Sequence, residues 1–316
     1  MCTYNGAAWV EPQLRSLFAQ SQLPDELIVC DDHSTDGTAR IVSDFARSAP
    51  FPVRLIVNPI RLGVAANFSQ AIRLCTGHLI ALCDQDDRWG AAKIQTLSQA
   101  LQSRPDWGFV FCDANLVDEA LNPIGTRLWD TLYLDRPQRR RLSDGQAVQV
   151  LTRTNVVTGA TMMFRACFKP LILPISPDWL HDGWIALLLA AVAGCGMVDQ
   201  PLIDYRQHPR QQIGARKTGL LEQIQIGLAM DPDYFRRESV RWTDAYQRLA
   251  ANRNSLRSET DLDLLRQKAV FSRDRYAMRL EPTSRWEHIG RYWYDGTYRE
   301  MAWGWKSLLQ DVVIQA

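Results

Sequence analysis

The stretch Glu26-Leu27-Ile28-Val29-Cys30-Asp31-Asp32-His33-Ser34-Thr35-Asp36-Gly37-Thr38 starts as a short apolar run, ends it on two acids and passes into helix-capping residues. A run of this length bounded by turn residues reads as a buried strand. Thr35 or Asp36 can cap the helix that follows. Capping does not require the Asp31-Asp32 pair, which sits at the strand end and could accept an N–H from a nucleobase. The pattern recurs on either side. Pro52 to Val57, His78 to Cys83 and Trp107 to Cys112 are further strand-like runs, the last two ending at Asp84 and Asp113. Amphipathic segments near 10–20, 36–48, 63–75 and 90–102 separate them. Strands alternating with helices predict βαβ units and a parallel sheet. Such a sheet binds ligands at the carboxyl ends of its strands. Asp31-Asp32, Asn58, Asp84 to Asp87 and Asp113 all gather there, which predicts one polar site.

This architecture calls for an apolar strand before Thr3, and only its last one or two residues are present. Either upstream residues complete that strand, the expectation taken here, or the fold lacks it. Further along, Asp144 to Arg153 reads as helix, Thr158 to Phe164 as strand and Asp182 to Ala193 as helix. Met197 to Tyr205 is strand-like, with Pro201 as a break. Beyond 215 the chain reads as all helix, with long amphipathic stretches near 219–250 and 259–280. The expected organisation is an α/β domain over 1–215 and a helical C-terminal extension over 216–316. The run Arg136-Pro137-Gln138-Arg139-Arg140-Arg141 reads as a solvated loop.

The chain has 316 residues, 46% hydrophobic and 22% charged, which excludes disordered and collagen-like classes. Its net charge of +1 argues against nucleic acid as a partner. Seven cysteines without a Cys-x-x-Cys pair, several in apolar runs, read as buried thiols of a reducing cytoplasm. The longest uncharged apolar stretch, Gly183 to Val198, is 16 residues and falls short of a membrane span. No Walker A or Gly-x-Gly-x-x-Gly motif occurs.

Asp84-Gln85-Asp86-Asp87-Arg88-Trp89 is the sharpest chemical signal. Three carboxylates in four residues repel one another unless a cation or hydrogen-bond donors compensate them. An Asp-x-Asp spacing at a bend can set one carboxylate on a divalent metal and another near a sugar hydroxyl. Mg²⁺ takes only one or two protein carboxylates, with substrate phosphates completing its shell. The bland alternative is that Asp87 caps the next helix.

Taken in order, Thr3-Tyr4-Asn5-Gly6, Asp31 to Thr38, Asn58 with Gly63 and Asn67, Asp84 to Trp89, His181-Asp182-Gly183-Trp184 and Tyr205-Arg206-Gln207-His208 resemble the family 2 glycosyltransferases. The Asp-Gln-Asp-Asp-x-Trp form looks most like bacterial rhamnosyltransferases acting on surface polysaccharides. The resemblance covers about residues 1–215 and implies the GT-A fold. It implies that Thr3, Tyr4, Asp31 and Asp32 hold the base, and that Arg61 and Asn67 serve nucleotide or sugar. It further implies Asp84 on ribose or sugar, Asp86 on Mg²⁺ or Mn²⁺ with His208 as a further ligand, Asp182 as general base, and Trp184 lining the acceptor site. The reaction implied is an inverting transfer from a nucleotide-diphosphate sugar, dTDP-rhamnose favoured, to a glycan or lipid-linked acceptor. Asp182 could instead only cap its helix, and His208 could be structural. After His208 this chain has Pro209 to Gln212 where family members often carry Gly and Asn.

The C-terminal part holds Trp242, Trp286, Trp293, Trp303 and Trp305 interleaved with Arg and Lys. One reading packs these aromatics against the catalytic domain. The other lays an interfacial helix on the inner membrane leaflet, giving a cytoplasmic protein with peripheral membrane contact. The alternative from a different class is a non-catalytic GT-A-like scaffold in a polysaccharide assembly complex.

Overall fold

The computed structural model describes residues 1–209, 211, 219, 225–227, 229–281 and 285–313. The elements run β1 (Cys2–Thr3), α1 (Val10–Phe18), β2 (Leu27–Asp31), α2 (Thr38–Ala46), β3 (Val53–Val57), α3 (Val64–Leu74), β4 (Leu79–Ala81), β5 (Arg88–Trp89), α4 (Lys93–Ser103), β6 (Trp107–Val117), β7 (Pro123–Arg127), α5 (Leu128–Thr131), α6 (Arg136–Ser143) and α7 (Ala147–Arg153). A 3₁₀ turn over Gly159–Thr161 leads into β8 (Met162–Arg165), α8 (Lys169–Ile172), α9 (His181–Val192) and β9 (Gly194–Arg206). Then come α10 (Pro232–Ala250), α11 (Glu259–Leu280), α12 (Arg285–Tyr294), α13 (Thr297–Met301) and α14 (Trp305–Val312). The chain divides into two compact units, 1–147 with 156–216 and 148–155 with 217–316.

In the first unit, β1, β2 and β3 pair in parallel in that order, as the strand–helix alternation requires. A second sheet runs β4-β8-β6-β9-β5, with β7 on β6. It is mixed. β6 and β9 are parallel and the other pairs antiparallel. The Cys2 N–H donates to the Cys83 carbonyl at 3.2 Å, bringing the two sheets together behind the acid motif. The core joins Val10, Leu14 and Leu17 of α1, Leu27 and Val29 of β2, Leu97 and Leu101 of α4, and Val110 and Cys112 of β6. Helix α9 is buried on all sides from Gly183 to Ala191, which explains its uniformly apolar sequence.

Four expectations change. The Arg136–Arg141 run is helix α6, because Asp135 accepts the Gln138 N–H as N-cap and Pro137 fits the first turn. Pro201 does not break β9, since the register against β6 slips between Val198 and Pro201 and absorbs it. β6 continues past Asp113 to Val117, so Asp113 is not at the strand end. Its buried carboxylate instead accepts the Ala114 and Trp129 N–H groups at 2.8 and 3.0 Å. The expected helix over 219–250 lies partly outside the described residues, and α10 begins at Pro232.

The second unit is helical. Asp311, fully buried, binds Arg275 and Arg279 at 2.7 and 2.9 Å and the Tyr298 hydroxyl at 2.8 Å. Trp242 is buried, whereas Trp286, Trp293, Trp303 and Trp305 are about half exposed. No helix among the described residues is long and apolar enough to cross a membrane.

Candidate active site

The carboxyl ends of β1 and β2 are locked by short side-chain bonds. Asp31 is fully buried and accepts Thr3 Oγ1 at 2.6 Å, Ser34 N at 2.8 Å and Ser34 Oγ at 2.6 Å. Asp32 accepts Asn58 Nδ2 at 3.1 Å, Leu62 N at 2.7 Å and Gly63 N at 2.9 Å. It thereby shapes the 58–63 loop that leads into α3. Asn67 accepts from Asn58 and donates to the Cys30 carbonyl at 2.8 Å. With its amide 2% exposed and engaged on both sides, Asn67 braces α3 on β2 and does not face a donor. Thr3, Asp31 and Asp32 likewise spend their polar atoms on protein contacts.

What reaches the cleft at this end is Tyr4, with the Arg61 guanidinium 4.0 Å over its ring. Gln85, from the middle of the acid motif, holds Tyr4 on both backbone groups. It accepts the Tyr4 N–H at 2.9 Å and donates to the Tyr4 carbonyl at 3.0 Å. This contact needs Gly6, where a Cβ would lie 2.1 Å from Gln85 Oε1.

On the far side of Gln85, the Asp86 carboxylate meets His208 Nε2 at 2.9 Å. Trp9 stacks on the imidazole at 4.0 Å between ring centroids. Arg206 ties the motif to β9 by donating its N–H to Asp87 at 3.1 Å and its Nε–H to the Asp86 carbonyl at 2.6 Å. Burial, with the Asp86 and Asp182 carboxylates adding to it, pushes the Asp84 carboxyl up to about 7. Burial, with the Asp86 and Asp84 carboxylates adding to it, raises Asp87 well above the ordinary range. Under them lies Lys93, fully buried, which burial pushes down to about 8.

Asp182 stands in the first turn of α9, two residues after its N-cap, Leu180. It is therefore not the capping residue. Its carboxylate accepts Gly159 N at 3.0 Å and Gly183 N at 2.6 Å. It is close enough for its charge to act on Asp84. His181 stacks on Phe68 at 3.7 Å and burial lowers its pKa. Trp184 does not line an acceptor site. Its ring is 1% exposed and its indole N–H donates to the Ile172 carbonyl at 2.8 Å.

Direct contacts therefore join Tyr4 with Arg61 and Asp86 with His208 on either side of Gln85, and the charge of Asp182 reaches Asp84. Trp184 and Asn67 remain in the packing. Gln85 and Arg206 stand inside the sequence motifs without an assigned role, and Trp9 and Lys93 lie outside them.

The carboxylate of Asp86 is the group here that would hold a divalent cation, with the His208 imidazole beside it. Asp86 and His208 offer a carboxylate oxygen and an imidazole nitrogen side by side, and Asp87 keeps a buried oxygen without a hydrogen-bond partner. Among the described residues no group of three His, Cys, Asp or Glu side chains forms an all-protein metal site. A cation at this pair would complete its shell with water and phosphate, as Mg²⁺ commonly does.

The profile of the Glycosyl transferase family 2 matches residues 1–169. The chain belongs to this family. One similar relative is an uncharacterized protein of Mycobacterium tuberculosis, 27% identical over 209 residues, covering 65% of this chain and 57% of the relative. The chain thus spans little more than half that relative's length. A dTDP-rhamnosyl transferase, RfbG of Shigella flexneri, is 27% identical over 263 residues, covering 78% of this chain and 84% of RfbG. Among solved structures, S. aureus TarS in complex with UDP-GlcNAc aligns with a TM-score of 0.58 at 13% identity, covering 92% of this chain and 78% of that one. This last likeness concerns the fold, which is the GT-A arrangement.

Proposed function

We propose that this family 2 member is an inverting glycosyltransferase that uses a nucleotide-diphosphate sugar, with dTDP-rhamnose as donor. A cell-surface glycan or a lipid-linked saccharide is its acceptor. The observation that carries the reading is the Asp86–His208 pair in the acid motif, with the charge of Asp182 acting on the neighbouring Asp84. Tyr4 and Arg61 form a stacking platform for the base. Asp84 faces ribose or sugar hydroxyls. Asp86 and His208 would hold Mg²⁺ or Mn²⁺ against the diphosphate, and a bound cation would neutralise charge on the leaving group. Asp182 takes the proton from the acceptor hydroxyl. That oxygen bonds to the anomeric carbon as the carbon–diphosphate bond breaks, and the configuration inverts. Support for rhamnose is the name and similarity of RfbG, together with the Asp-Gln-Asp-Asp-x-Trp motif. The half-exposed tryptophans of the second unit support peripheral contact at the cytoplasmic face of a membrane.

Calorimetry of dTDP, UDP and GDP with Mn²⁺ or Mg²⁺, followed by a donor panel, tests the reading. Cation-dependent dTDP binding is expected, and it is lost in Asp86→Ala. Asp182→Asn keeps donor binding and loses roughly 10²–10⁴-fold in turnover. Absence of any nucleotide binding overturns the reading in favour of a scaffold. Preference for a uridine or guanosine donor overturns rhamnose.

A further inference from the structure

We infer that Lys93 is a positioning residue for Asp182, fixing the turn that holds the candidate base. The inference rests on the reading of Asp182 as base. Lys93 is the first residue of α4, and its side chain runs inward where it is inaccessible to solvent. The ammonium lies 3.1 Å from the centroid of the Trp89 ring and donates to the Ala160 carbonyl at 2.6 Å. Ala160 is the middle residue of the 159–161 turn, and the preceding Gly159 N–H holds Asp182 Oδ2 at 3.0 Å. The ammonium thus holds the 160–161 peptide, whose Thr161 N–H in turn donates to the Thr158 carbonyl of the peptide that binds the carboxylate.

Packing alone does not account for a lysine here. An ammonium in this interior loses its hydration, and one carbonyl and one aromatic face replace only part of it. A leucine or methionine would fill the same space without that penalty. Its charge faces the carboxylates of Asp84 and Asp87 and the thiols of Cys83 and Cys112. The cation's charge thus acts on these acids while its hydrogen bond goes to the turn. The turn itself has little freedom. Gly159 packs so closely on His181 that a Cβ would come within 2.4 Å of Nε2. Thr161 closes the turn by donating from both N–H and Oγ1 to the Thr158 carbonyl, at 2.9 and 2.7 Å. Because the turn is closed this tightly, a shift of the 160–161 peptide on losing the ammonium passes through the Thr161 N–H to the Thr158 carbonyl and so to the Gly159 N–H, turning the Asp182 carboxylate about its other bond, from Gly183 N. Misplacement of a catalytic group by about 1 Å can cost on the order of 10²-fold in rate.

The test is a double-mutant cycle on cation-dependent hydrolysis of dTDP-rhamnose, with water in place of the acceptor hydroxyl. Lys93→Met keeps the length and removes the charge. It is expected to lower kcat roughly 10–100-fold while KM for the donor and the affinity for dTDP stay near wild type. In an Asp182→Asn background the same change is expected to lower kcat by less than about 3-fold, because the group it positions is gone. Additive losses, or an unchanged kcat in Lys93→Met, overturn the inference and leave the base reading intact. Near-wild-type hydrolysis by Asp182→Asn overturns both. If Lys93→Met does not fold, Lys93→Arg carries the same cycle. It keeps the charge but sets its donors away from the Nζ position, and the same non-additivity is expected.

Discussion

Asp32→Asn separates a residue that shapes the cleft from one that only touches a base. Oδ1 accepts from Asn58 Nδ2 and Leu62 N, and Oδ2 from Gly63 N at 2.9 Å. An asparagine of the same shape has one acceptor oxygen. With that oxygen at the Oδ1 position two bonds survive, and the amide NH₂ meets the Gly63 N–H donor to donor. A buried donor without an acceptor costs about 1–3 kcal/mol, and the two surviving bonds weaken when their acceptor loses its charge. The expected loss is about 2–4 kcal/mol. For a unit of roughly 200 residues this lowers Tm by roughly 5–15 °C. Scanning calorimetry without nucleotide reads the loss, and hydrogen exchange should show the Leu62 and Gly63 amides losing protection. An unchanged Tm with both amides still protected refutes the reasoning. A drop in nucleotide affinity alone would make Asp32 a base-binding group.

Trp184→Phe should destabilise the first unit by about 1–3 kcal/mol, since the Ile172 carbonyl loses its donor, and should leave donor hydrolysis unchanged. Urea unfolding and steady-state kinetics check this, and a kinetic defect without a stability loss contradicts it. In the second unit, burial pushes Lys268 down to about 8 from its ordinary 10.5. Between those values the unfolded chain holds a proton that the native chain does not. The stability of wild type relative to Lys268→Met should therefore rise with pH from 8 to 10.5, by at most about 3 kcal/mol, and a flat difference curve contradicts this. Iodoacetamide on the native protein should label Cys167 first, the one exposed thiol of the seven, while Cys30, Cys83 and Cys112, whose thiols burial pushes to about 11, should react only in denaturant. Peptide mass spectrometry reads the order.

The alternation of strands and helices was legible because strands covered on both faces become continuous apolar runs, as Leu27 to Cys30 and Phe109 to Cys112 do. The gathering of Thr3, Asp31, Asp84 and Asp86 followed from the strand ends. What the carboxylates face did not. Asp32 is filled by amides from residues 62 and 63, whose return to β2 leaves no local pattern. Other signals were present but unread. Two residues along a helix is about 200° of rotation, so Trp184 points away from Asp182. Lys93 stands four residues before Leu97 and eight before Leu101, on the face that packs inward. Gln85 offers no such sign, because only the folded chain brings it beside Tyr4.

Gln85 acts as a spacer gauge. It is bonded to both backbone groups of Tyr4 and lies in the chain between Asp84 and Asp86. On the proposed reading, one side chain thus ties the platform of Tyr4 and Arg61 to the acids of the diphosphate end. On that reading, moving Tyr4 for a longer or bulkier nucleoside would move the acids with it. Exchanging the nucleotide preference of this chain would require re-cutting that spacer along with the platform.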